Sequence, residues 1–569
     1  MCGIAGIFDI SSAVSYEAIE RFTDALAHRG PDGRGIHLDG GLALGHRRLA
    51  ILDPRPEGNC PMEYVTPGGQ RSWITFNGEV YNFLELRHEL EADGWSFKTR
   101  TDTEVIAAAW ACWGKECLTR FNGMWAFAIW TPETRELVIC RDRFGVKPLY
   151  YSVQGSRLAF ASEAKAFLRL EGFNRELDIE AAQLAVFSSQ SYEGSTDQYL
   201  LKSVRKLPAG HILRMNNGGS LTVERWWDTA SHIPNVPDTF EEQVERFRDI
   251  FLDAVRIRMR SDVPVGSCLS GGIDSSSVVA SMALLHSRGG LGERVPDEWR
   301  QTFVASFPGT VLDERSYAEE VVKATGAHPY IWNFNPDEGL KLVPHSVWAL
   351  EDVYPGIAVP VWCLYREMRR AGTVVSLDGH GSDEMLMGYT WYLDWPVQEV
   401  NQRLYNEFHF SLLPSILRNY DRCSMAHGIE VRMPFMDWRL VTYCMGLPPL
   451  SKAGGSWTKR VLRAAMRGIV PDSVLDRRTK IGFNSPMIEW FNGGFSRLFE
   501  TISQHDMWRE SPFWNGPLLA EQILAKSRAR GWTTTDWGQT AELWSYMNLV
   551  LWHMLFIEGH SLDDIEGLL

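Results

Sequence analysis

The stretch VPVGSCLSGGIDSSSVVA, residues 263–280, decides the fold of the second half of this 569-residue chain. Residues 263–269 form an apolar run that predicts a buried strand, and SVVASMALL, from residue 277, starts a helix. The turn between them holds two glycines, three serines and Asp274. Glycines let a backbone approach an anion, and a helix N-terminus offers unpaired N–H groups and the positive end of a dipole. The stretch therefore predicts an α/β domain whose first strand leads into a loop for a phosphate-like group.

A glycine pair between a strand and a helix can also be no more than a tight turn. The GxxxxGK(S/T) loop of kinases and GTPases is excluded, because no lysine follows these glycines. Asp274 would repel a phosphate unless it held a magnesium ion that bridges to the phosphate oxygens. The string SGGIDSS, residues 270–276, resembles the pyrophosphate loop of the ATP pyrophosphatases, which cleave ATP to AMP and pyrophosphate.

A second acidic loop supports the first. In TVVSLDGHGSDE, residues 373–384, an apolar strand leads into glycines and then into Asp383 and Glu384. Carboxylates at the carboxyl ends of neighbouring strands can share one metal ion. We therefore predict that Asp274 and Asp383 are magnesium ligands. Downstream, RRTKIGF contains Lys480, which could reach a phosphate as a mobile point charge.

The two halves of the chain have different patterns. In the first half, short runs rich in β-branched and aromatic residues, such as SWITFNGEVYN and MWAFAIWT, predict strands, with helical patterns such as DTEVIAAAWACWG between them. SHIPNVPDTF, with its two prolines, predicts a linker. Strand and helix patterns then alternate, and the chain is largely helical after Trp395. We predict domains over residues 2–230 and 241–569, joined by a linker over 231–240.

Composition narrows the class of protein. Hydrophobic residues make up 45% and charged residues 22%, which is ordinary for a globular chain of several domains. No apolar run reaches the roughly 18 residues that a bilayer span needs, so we expect no membrane association. A net charge of −14 argues against nucleic acid as a partner. The nine cysteines include no CxxC pair, which excludes a zinc ribbon, and we expect reduced thiols and a cytoplasmic protein.

The N-terminal stretch MCGIAGIFD places Cys2 directly behind Met1. Such a cysteine can be a small buried apolar side chain and nothing more. If Met1 is trimmed, however, Cys2 carries a thiol and a free α-amine, whose pKa is normally near ~8. A nucleophile that carries its own base needs no partner histidine.

Two sets of motifs then point to one family. They are, in the first half, MCGIAGIFD, HRGPDG, LGHRRLAILD, FNGEVYN, TDTEVI and RDRFGVKPLYY, and in the second half, VPVGSCLSGGIDSS, GHGSDE, DRCSMAHGIEVRMPFMD and RRTKIGF. With these motifs in this order, the chain resembles the glutamine-hydrolysing asparagine synthetases over nearly its whole length. The resemblance implies an α+β N-terminal-nucleophile sandwich, with stacked sheets flanked by helices. An α/β ATP-pyrophosphatase domain with a parallel sheet and a helical C-terminal part would follow.

For the first domain, the resemblance implies a glutaminase site. Cys2 would attack the side-chain amide of glutamine and release ammonia, and the Asn77 side chain and the Gly78 N–H would form the oxyanion hole. Arg48 would bind the α-carboxylate of glutamine, and Glu79 and Asp102 its α-ammonium group. In isolation, these polar residues could as well cap turns and strand ends; their place beside Cys2 favours the site.

For the second domain, the resemblance implies that ATP activates a carboxylic acid as an acyl-adenylate, which ammonia attacks after travelling inside the protein. Lys480 would act on the pyrophosphate, and a homodimer is an expectation from the family alone. The residues that would bind ATP are Leu269, Ser270, Gly271, Gly272, Asp274, Ser275, Ala305 and Gly379.

One loop departs from the family. The usual SGEGSDE reads Asp378-Gly379-His380-Gly381-Ser382-Asp383-Glu384 here, so that an aspartate replaces the serine and His380 replaces the glutamate beside the acyl-adenylate. Histidine is a common general base at neutral pH, and His380 could deprotonate the attacking amine. Alternatively, it only forms hydrogen bonds within the loop.

Three functions stay open at this point. The acid that is amidated could be aspartate, or it could be another carboxylic acid in a biosynthetic pathway. The third alternative is a glutaminase with a nucleotide-sensing regulatory domain. Cys2 argues against a β-lactam synthetase and weakens a lasso-peptide cyclase, because those relatives do not use this nucleophile.

Overall fold

A computed structural model describes residues 1–310, 312–478 and 485–567 of the chain. These residues form two antiparallel sheets of six strands each and one parallel sheet of five. The strands of the antiparallel sheets are, in chain order, β1 (Gly3–Asp9), β2 (Gly33–Asp39), β3 (Leu42–Arg48), β4 (Met62–Val65), β5 (Arg71–Val80), β6 (Gly123–Thr131), β7 (Glu136–Arg141), β8 (Tyr150–Gln154), β9 (Arg157–Ala161), β10 (Arg205–Lys206), β11 (His211–Asn216) and β12 (Leu221–Arg225).

The two antiparallel sheets stack face to face. Their strand orders are β10-β8-β9-β1-β3-β2 and β12-β11-β7-β6-β5-β4. Ile4 and Phe8 of the first sheet share one buried core with Ala126 and Trp130 of the second. The side chains of β6 that alternate with these, such as Phe127, pack on the opposite face against helices. MWAFAIW is therefore apolar throughout because both faces of its strand are buried.

Helices cover the outer faces of the sandwich, which confirms the predicted α+β class. The helices of this half are α1 (Tyr16–Asp24), α2 (Phe83–Ala92), α3 (Asp102–Trp113), α4 (Cys117–Arg120), α5 (Ile179–Phe187) and α6 (Tyr192–Ser195). α1 packs on the first sheet through Ile19 and Phe22, and α2 and α3 pack on the second. The outward faces of the sheets are thus shielded from water as the resemblance implied.

The parallel sheet lies in the second half. Its strands are β13 (Val265–Cys268), β14 (Gln301–Ser306), β15 (His328–Asn333), β16 (Val375–Leu377) and β17 (Glu430–Arg432), in the order β15-β14-β13-β16-β17. The strand order reverses between β13 and β16, and ligands of open α/β sheets bind beyond the carboxyl ends of strands at such a point. The glycine loop after β13 and the acidic loop after β16 therefore meet there.

The rest of the second half is mainly helical. Its helices are α7 (Phe240–Arg258), α8 (Ile273–Ser287), α9 (Arg315–Thr325), α10 (Pro336–Lys341), α11 (Val343–Leu350), α12 (Val359–Arg370), α13 (Ser382–Met385), α14 (Val400–His409), α15 (Leu412–Met425), α16 (Trp438–Gly446), α17 (Pro449–Lys452), α18 (Arg460–Ala465), α19 (Asp472–Leu475), α20 (Met487–Glu489), α21 (Ser496–Ile502), α22 (Asp506–Arg509), α23 (Gly516–Arg528), α24 (Trp537–His553) and α25 (Leu562–Glu566). Sequence patterns did not predict β17, a three-residue strand with charged residues at both ends. None of the helices in the described ranges combines the length and the apolar character that a bilayer span requires.

Buried charges join α15 to the first half of the chain. Arg29 Nη1 donates to Glu163 Oε1 at 2.6 Å and to Asp421 Oδ2 at 2.9 Å. Lys147 Nζ approaches the other Asp421 oxygen at 3.4 Å. Burial alone would raise the pKa of Asp421, but the charges of Arg29 and Lys147 lower it to about 2. The network thus holds a charged carboxylate in the interior and fixes α15 against the sandwich.

Candidate active site

Cys2 lies at the start of β1, next to the middle of β5. Its N–H donates to Asn77 Oδ1 at 3.0 Å, and its Sγ lies 4.0 Å from the carbonyl oxygen of Leu49. Burial raises the pKa of the Cys2 thiol. The Asn77 Nδ2 is buried and has no hydrogen-bond acceptor among the described residues. A free buried donor beside a nucleophile is what an oxyanion hole requires.

Glycine is the only residue type that fits at position 78. A Cβ there would lie 2.1 Å from the carbonyl oxygen of Met124 on the neighbouring strand β6. This close contact between the paired strands β5 and β6 lies one residue from Asn77. The role of the Gly78 N–H in the oxyanion hole stays a prediction.

Two carboxylates, Glu79 and Asp102, line the same cavity as Cys2, and their contact with the α-ammonium group of glutamine stays a prediction. Asp102 Oδ2 accepts the Val80 N–H at 2.9 Å, and Glu79 Oε2 accepts from Arg432 Nη2 at 3.2 Å. Burial raises the pKa of Asp102 to about 6 and that of Glu79 well above its usual range. Glu79 Oε1 is buried without a hydrogen-bond donor in the described part of the chain. The pair therefore has unused capacity for a cation such as an α-ammonium group.

Arg48 is placed in the same cavity, but its guanidinium already has partners. Nη1 donates to the Arg55 carbonyl and to Asn59 Oδ1, at 2.8 and 2.9 Å. Nη2 donates to the carbonyls of Leu52 and Asp53, at 3.2 and 2.6 Å. The predicted contact with the α-carboxylate of glutamine stays a prediction, and a two-oxygen contact there would displace some of these acceptors.

Met1 occupies part of this first cavity. Its ammonium group lies 2.9 Å from Glu430 Oε2, and its side chain is buried. With Met1 in place the cavity measures about 40 Å³, far below the roughly 300–1,000 Å³ of small-molecule sites. Removal of Met1 would enlarge the cavity, and the expectation that Cys2 becomes the first residue stays a prediction.

The glycine loop and the acidic loop line a second, larger pocket of about 630 Å³. Most of the residues predicted for ATP, magnesium and the acceptor line it, namely Leu269, Ser270, Gly272, Asp274, Ser275, Ala305, Gly379, His380 and Asp383. Gly271 packs instead against α9: its φ is +77°, and a Cβ there would lie 2.6 Å from the Ala318 nitrogen. Lys480 lies outside the described residues.

A lysine that the sequence analysis missed joins the two predicted metal ligands. Lys459 Nζ lies 2.7 and 2.6 Å from the two oxygens of Asp274 and 2.5 Å from Asp383 Oδ1. Ser382 Oγ donates to Asp274 Oδ1 at 2.5 Å. Lys459 precedes the short helix α18, and the Gly454-Gly455 pair upstream of it does not follow a predicted strand, so the sequence offered no signal of a phosphate loop there. The two carboxylates converge on the ammonium group of Lys459, and their binding of magnesium stays a prediction.

His380 lies over a buried carboxylate at the edge of this pocket. Its Nε2 is 3.6 Å from Asp378 Oδ2, and its ring centroid is 3.6 Å from that of Tyr420. Asp378 is held by the Tyr365 hydroxyl at 2.7 Å and the Ser376 hydroxyl at 2.5 Å. Burial would raise the pKa of Asp378, but hydrogen bonding and charge interaction with His380, together with the two hydroxyls, lower it. The two residues that depart from the family thus form one pair.

Comparison with known families shows to which family the chain belongs. A glutamine amidotransferase domain profile matches residues 1–227, and an asparagine synthase profile matches residues 246–399 and 394–554. The chain belongs to the asparagine synthase family. It is a glutamine-dependent amidotransferase that couples ATP to amide formation.

Curated relatives span the length of the chain. Asparagine synthetase 1 (glutamine-hydrolysing) of Bacillus subtilis is 28% identical and aligns with 99% of this chain and 98% of its own. Asparagine synthetase 3 of the same organism is 30% identical, over 89% of this chain and 91% of its own. Asparagine synthetase B of Escherichia coli is 30% identical, over 84% of this chain and 81% of its own.

The first prediction concerns the nucleophile. We expect Cys2→Ala to lower glutamine hydrolysis and glutamine-dependent amidation by at least about 10³-fold, because the attacking atom is lost. Ammonia-dependent amidation should persist, since its pocket is separate. N-terminal sequencing of the wild type should begin with cysteine. Cys112→Ala, on the outer helix α3, is the control and should leave both activities unchanged. Equal loss of both activities in Cys2→Ala would contradict the assignment.

The second prediction concerns the paired aspartates. Asp274→Asn or Asp383→Asn should lower acid-dependent exchange of pyrophosphate into ATP by about 10²–10³-fold, a usual loss when one charge-stabilising group is removed. Glutamine hydrolysis should not change, and the Mg²⁺ concentration for half-maximal exchange should rise. Asp24→Asn, in an exposed ion pair with Arg34, is the control. An unchanged Mg²⁺ dependence would mean that these carboxylates serve Lys459 and not a metal ion.

Proposed function

We propose that Cys2 releases ammonia from glutamine and that the ammonia attacks an acyl-adenylate in the second pocket, with His380 as the base. The observation that carries this proposal is the position of His380 in the pocket lined by both phosphate-loop and acidic-loop residues. The sandwich half supplies the nucleophile, and the parallel-sheet half supplies the activated acid. Because the two cavities are separate, ammonia must cross the protein between them.

In the first cavity, the thiol of Cys2 attacks the amide carbon of glutamine. Asn77 Nδ2 would then donate to the oxygen that becomes negative, since it is buried beside Cys2 without another acceptor. Glu79 and Asp102 would hold the α-ammonium group. The free α-amine of Cys2, once Met1 is removed, would take the thiol proton and later pass it to the leaving ammonia.

In the second pocket, ATP would place its phosphates at the N-terminus of α8. Ser270 and Ser275 line this end of the pocket and carry hydroxyl donors. Asp274 and Asp383 would hold Mg²⁺, because their oxygens already converge on the single positive charge of Lys459. When bound, the ion neutralises charge on the phosphate oxygens. Lys459 keeps the two carboxylates in place and adds a fixed charge beside the leaving pyrophosphate.

Asp378 positions His380 for proton transfer. If the Nε2–H of His380 points to Asp378 Oδ2, the Nδ1 lone pair is left to accept a proton from the attacking ammonia. Asp378 cannot rotate away, because Tyr365 and Ser376 donate to its two oxygens. Tyr420 covers the face of the ring and restricts its rotation. A serine at position 378, as in the family loop, would carry no charge to orient an imidazole.

Two acids are candidates for the acceptor. The names of the relatives support aspartate. The Asp378–His380 pair supports another carboxylic acid, because both residues depart from the family at the acceptor side. One assay distinguishes them: pyrophosphate release from ATP with glutamine and Mg²⁺, with aspartate or with a panel of other acids.

The third prediction is the outcome of this assay. Pyrophosphate release should depend on an added acid and should match amide formation one to one. Release with aspartate identifies an asparagine-forming enzyme, and release only with another acid identifies that acid as the substrate class. Glutamine hydrolysis without pyrophosphate release under any acid, at protein concentrations that show full glutaminase activity, would contradict the proposed function.

The fourth prediction concerns His380. His380→Ala should still exchange pyrophosphate into ATP when the acid is present, while amide formation falls by about 10²–10⁴-fold, the usual contribution of a general base. The pH dependence of the amide step should differ between the wild type and the variant, because the proposed base is lost. Asp378→Ser should change this pH dependence less than His380→Ala does, because Asp378 acts only through His380.

Variants that restore the family residue test the same assignment. His380→Glu should recover part of the amide rate, since a carboxylate can accept the proton. Tyr420→Phe is the control, because it keeps the ring that covers His380. An amide rate for His380→Ala equal to the wild-type rate would show that the histidine is structural. Loss of pyrophosphate exchange together with amide formation would assign it to ATP or acid binding instead.

A further inference from the structure

Imidazoles and a carboxylate converge at the C-terminal end of α24, outside both cavities. His505 precedes α22, His553 is the last residue of α24, and Glu558 ends the helical turn that follows. His505 Nε2 lies 3.1 Å from Glu558 Oε1, and His553 Nδ1 lies 3.3 Å from the same oxygen. His560 Nε2 lies 3.2 Å from Glu558 Oε2.

A π-helical turn creates this convergence. The turn Met554–Glu558 follows α24 directly. Residues five apart lie on different faces of an α-helix, but in a π-turn the i→i+5 hydrogen bonds bring them one above the other. His553 and Glu558 are five residues apart and meet for this reason. Phe556 anchors the turn by stacking on Trp552 at 5.1 Å and by packing at a tilt against Trp348 at 4.9 Å.

The geometry of the three groups fits a small metal ion. One ligand atom each of His505, His553 and Glu558 lies within 4.8 Å of the others. At Zn²⁺–ligand distances of about 2.0–2.1 Å, the edge of a tetrahedral site is about 3.3 Å. The separations of 3.1 and 3.3 Å between the nitrogens and Glu558 Oε1 agree with that edge.

One nitrogen of the group has unused capacity. His553 Nδ1 is shielded from solvent, and its 3.3 Å approach to Glu558 Oε1 does not have the geometry of a hydrogen bond. A nitrogen in this position can bind a metal ion together with the neighbouring carboxylate.

We propose that His505, His553 and Glu558 bind a divalent transition-metal ion of the Zn²⁺ type, with His560 or a water as the fourth ligand. Two imidazole nitrogens and one carboxylate favour Zn²⁺ over Mg²⁺, which prefers oxygen ligands. None of the three residues lines the ATP pocket as described. The ion ties residue 505 to the end of α24, and its role is structural.

Binding at His505 has a local consequence. His505 Nδ1 accepts the Met507 N–H at 3.1 Å and caps α22. The proton of the neutral ring is therefore on Nε2 in the metal-free protein. When Nε2 binds the ion, this proton moves to Nδ1, and the Met507 N–H loses its acceptor. The Met507 amide should therefore exchange its hydrogen faster in the loaded protein.

The fifth prediction tests the site on the full-length protein with Zn²⁺ and Co²⁺ as probes. After treatment with a chelator, and without ATP, the Cys2→Ala protein should bind one equivalent of Zn²⁺ in competition with a chromophoric chelator. Cys2→Ala removes the thiol of the first cavity as a competing ligand. Co²⁺ should give the visible absorption of a four-coordinate site with nitrogen and oxygen ligands, without a thiolate band.

Three ligand variants and one matched control decide the outcome. His553→Ala, Glu558→Gln and His505→Asn should each weaken Zn²⁺ binding by at least about tenfold and reduce the Co²⁺ absorption. His505→Asn keeps a side chain that can cap α22, so a loss there is not a loss of the helix. His345→Ala, which removes a histidine paired with a single carboxylate, Glu566, should bind as the wild type does. Circular dichroism and glutamine-independent exchange activity show that each variant is folded.

The proposal would be overturned by either of two results. No stoichiometric binding of Zn²⁺ to the metal-free protein would identify the group as a hydrogen-bonded charge cluster. Binding that the three variants leave unchanged would place the metal elsewhere, for example at another thiol.

Discussion

Both pockets depend on the contacts that the buried guanidinium and backbone of Arg432 make. Arg432 lies on β17, fully enclosed, with Nε donating to Glu430 at 2.6 Å and Nη2 to Glu79 at 3.2 Å. Its own backbone carbonyl accepts the Asp378 N–H at 2.8 Å. One residue therefore contacts a carboxylate of the glutaminase cavity and fixes the start of the loop that carries His380. A buried charge of this kind is tolerated only where its partners are complete, and removal of one partner typically costs about 3–5 kcal/mol.

This contact explains why the two halves cannot be understood as independent domains. The sandwich supplies Glu79, and the parallel sheet supplies Arg432 and Glu430, on an edge strand of three residues. The buried ion pairs of Asp421, on α15, with Arg29 and Lys147 join the two halves in the same way. Both networks place buried, paired polar groups between the two halves of the chain.

The second pocket contains one cluster of charges around Lys459 and, on the acidic loop, two residues that depart from the family. Asp274, Asp383 and Lys459 form a charge cluster suited to ATP chemistry of any acid. Asp378 and His380 sit on the same loop as Asp383, and the aspartate is buried while the histidine reaches the pocket. Asp378 and His380 lie in contact, so the roles proposed for them depend on one another.

The two-part architecture, the glycine loop and the acidic loop could be predicted from the sequence, because each depends on local residue types; the role of Cys2 as nucleophile stays a prediction. A strand followed by SGGIDSS can be recognised without its neighbours, and so can a cysteine behind the initiator methionine. Only the tertiary structure decided which side chains meet. Lys459 reaches Asp274 from 185 residues away, and Arg432 reaches Glu79 from 353 residues away. Lys459 lies in none of the motifs quoted above, and Arg432 lies in DRCSMAHGIEVRMPFMD, but neither position predicts which carboxylate the side chain meets. The convergence of His505 with Glu558 depends on a π-turn, and hydrophobic periodicity does not reveal where a helix changes its pitch. Buried charges pair with whichever opposite charges lie beside them after the chain has folded. The order of residues along the chain does not reveal which charges become neighbours.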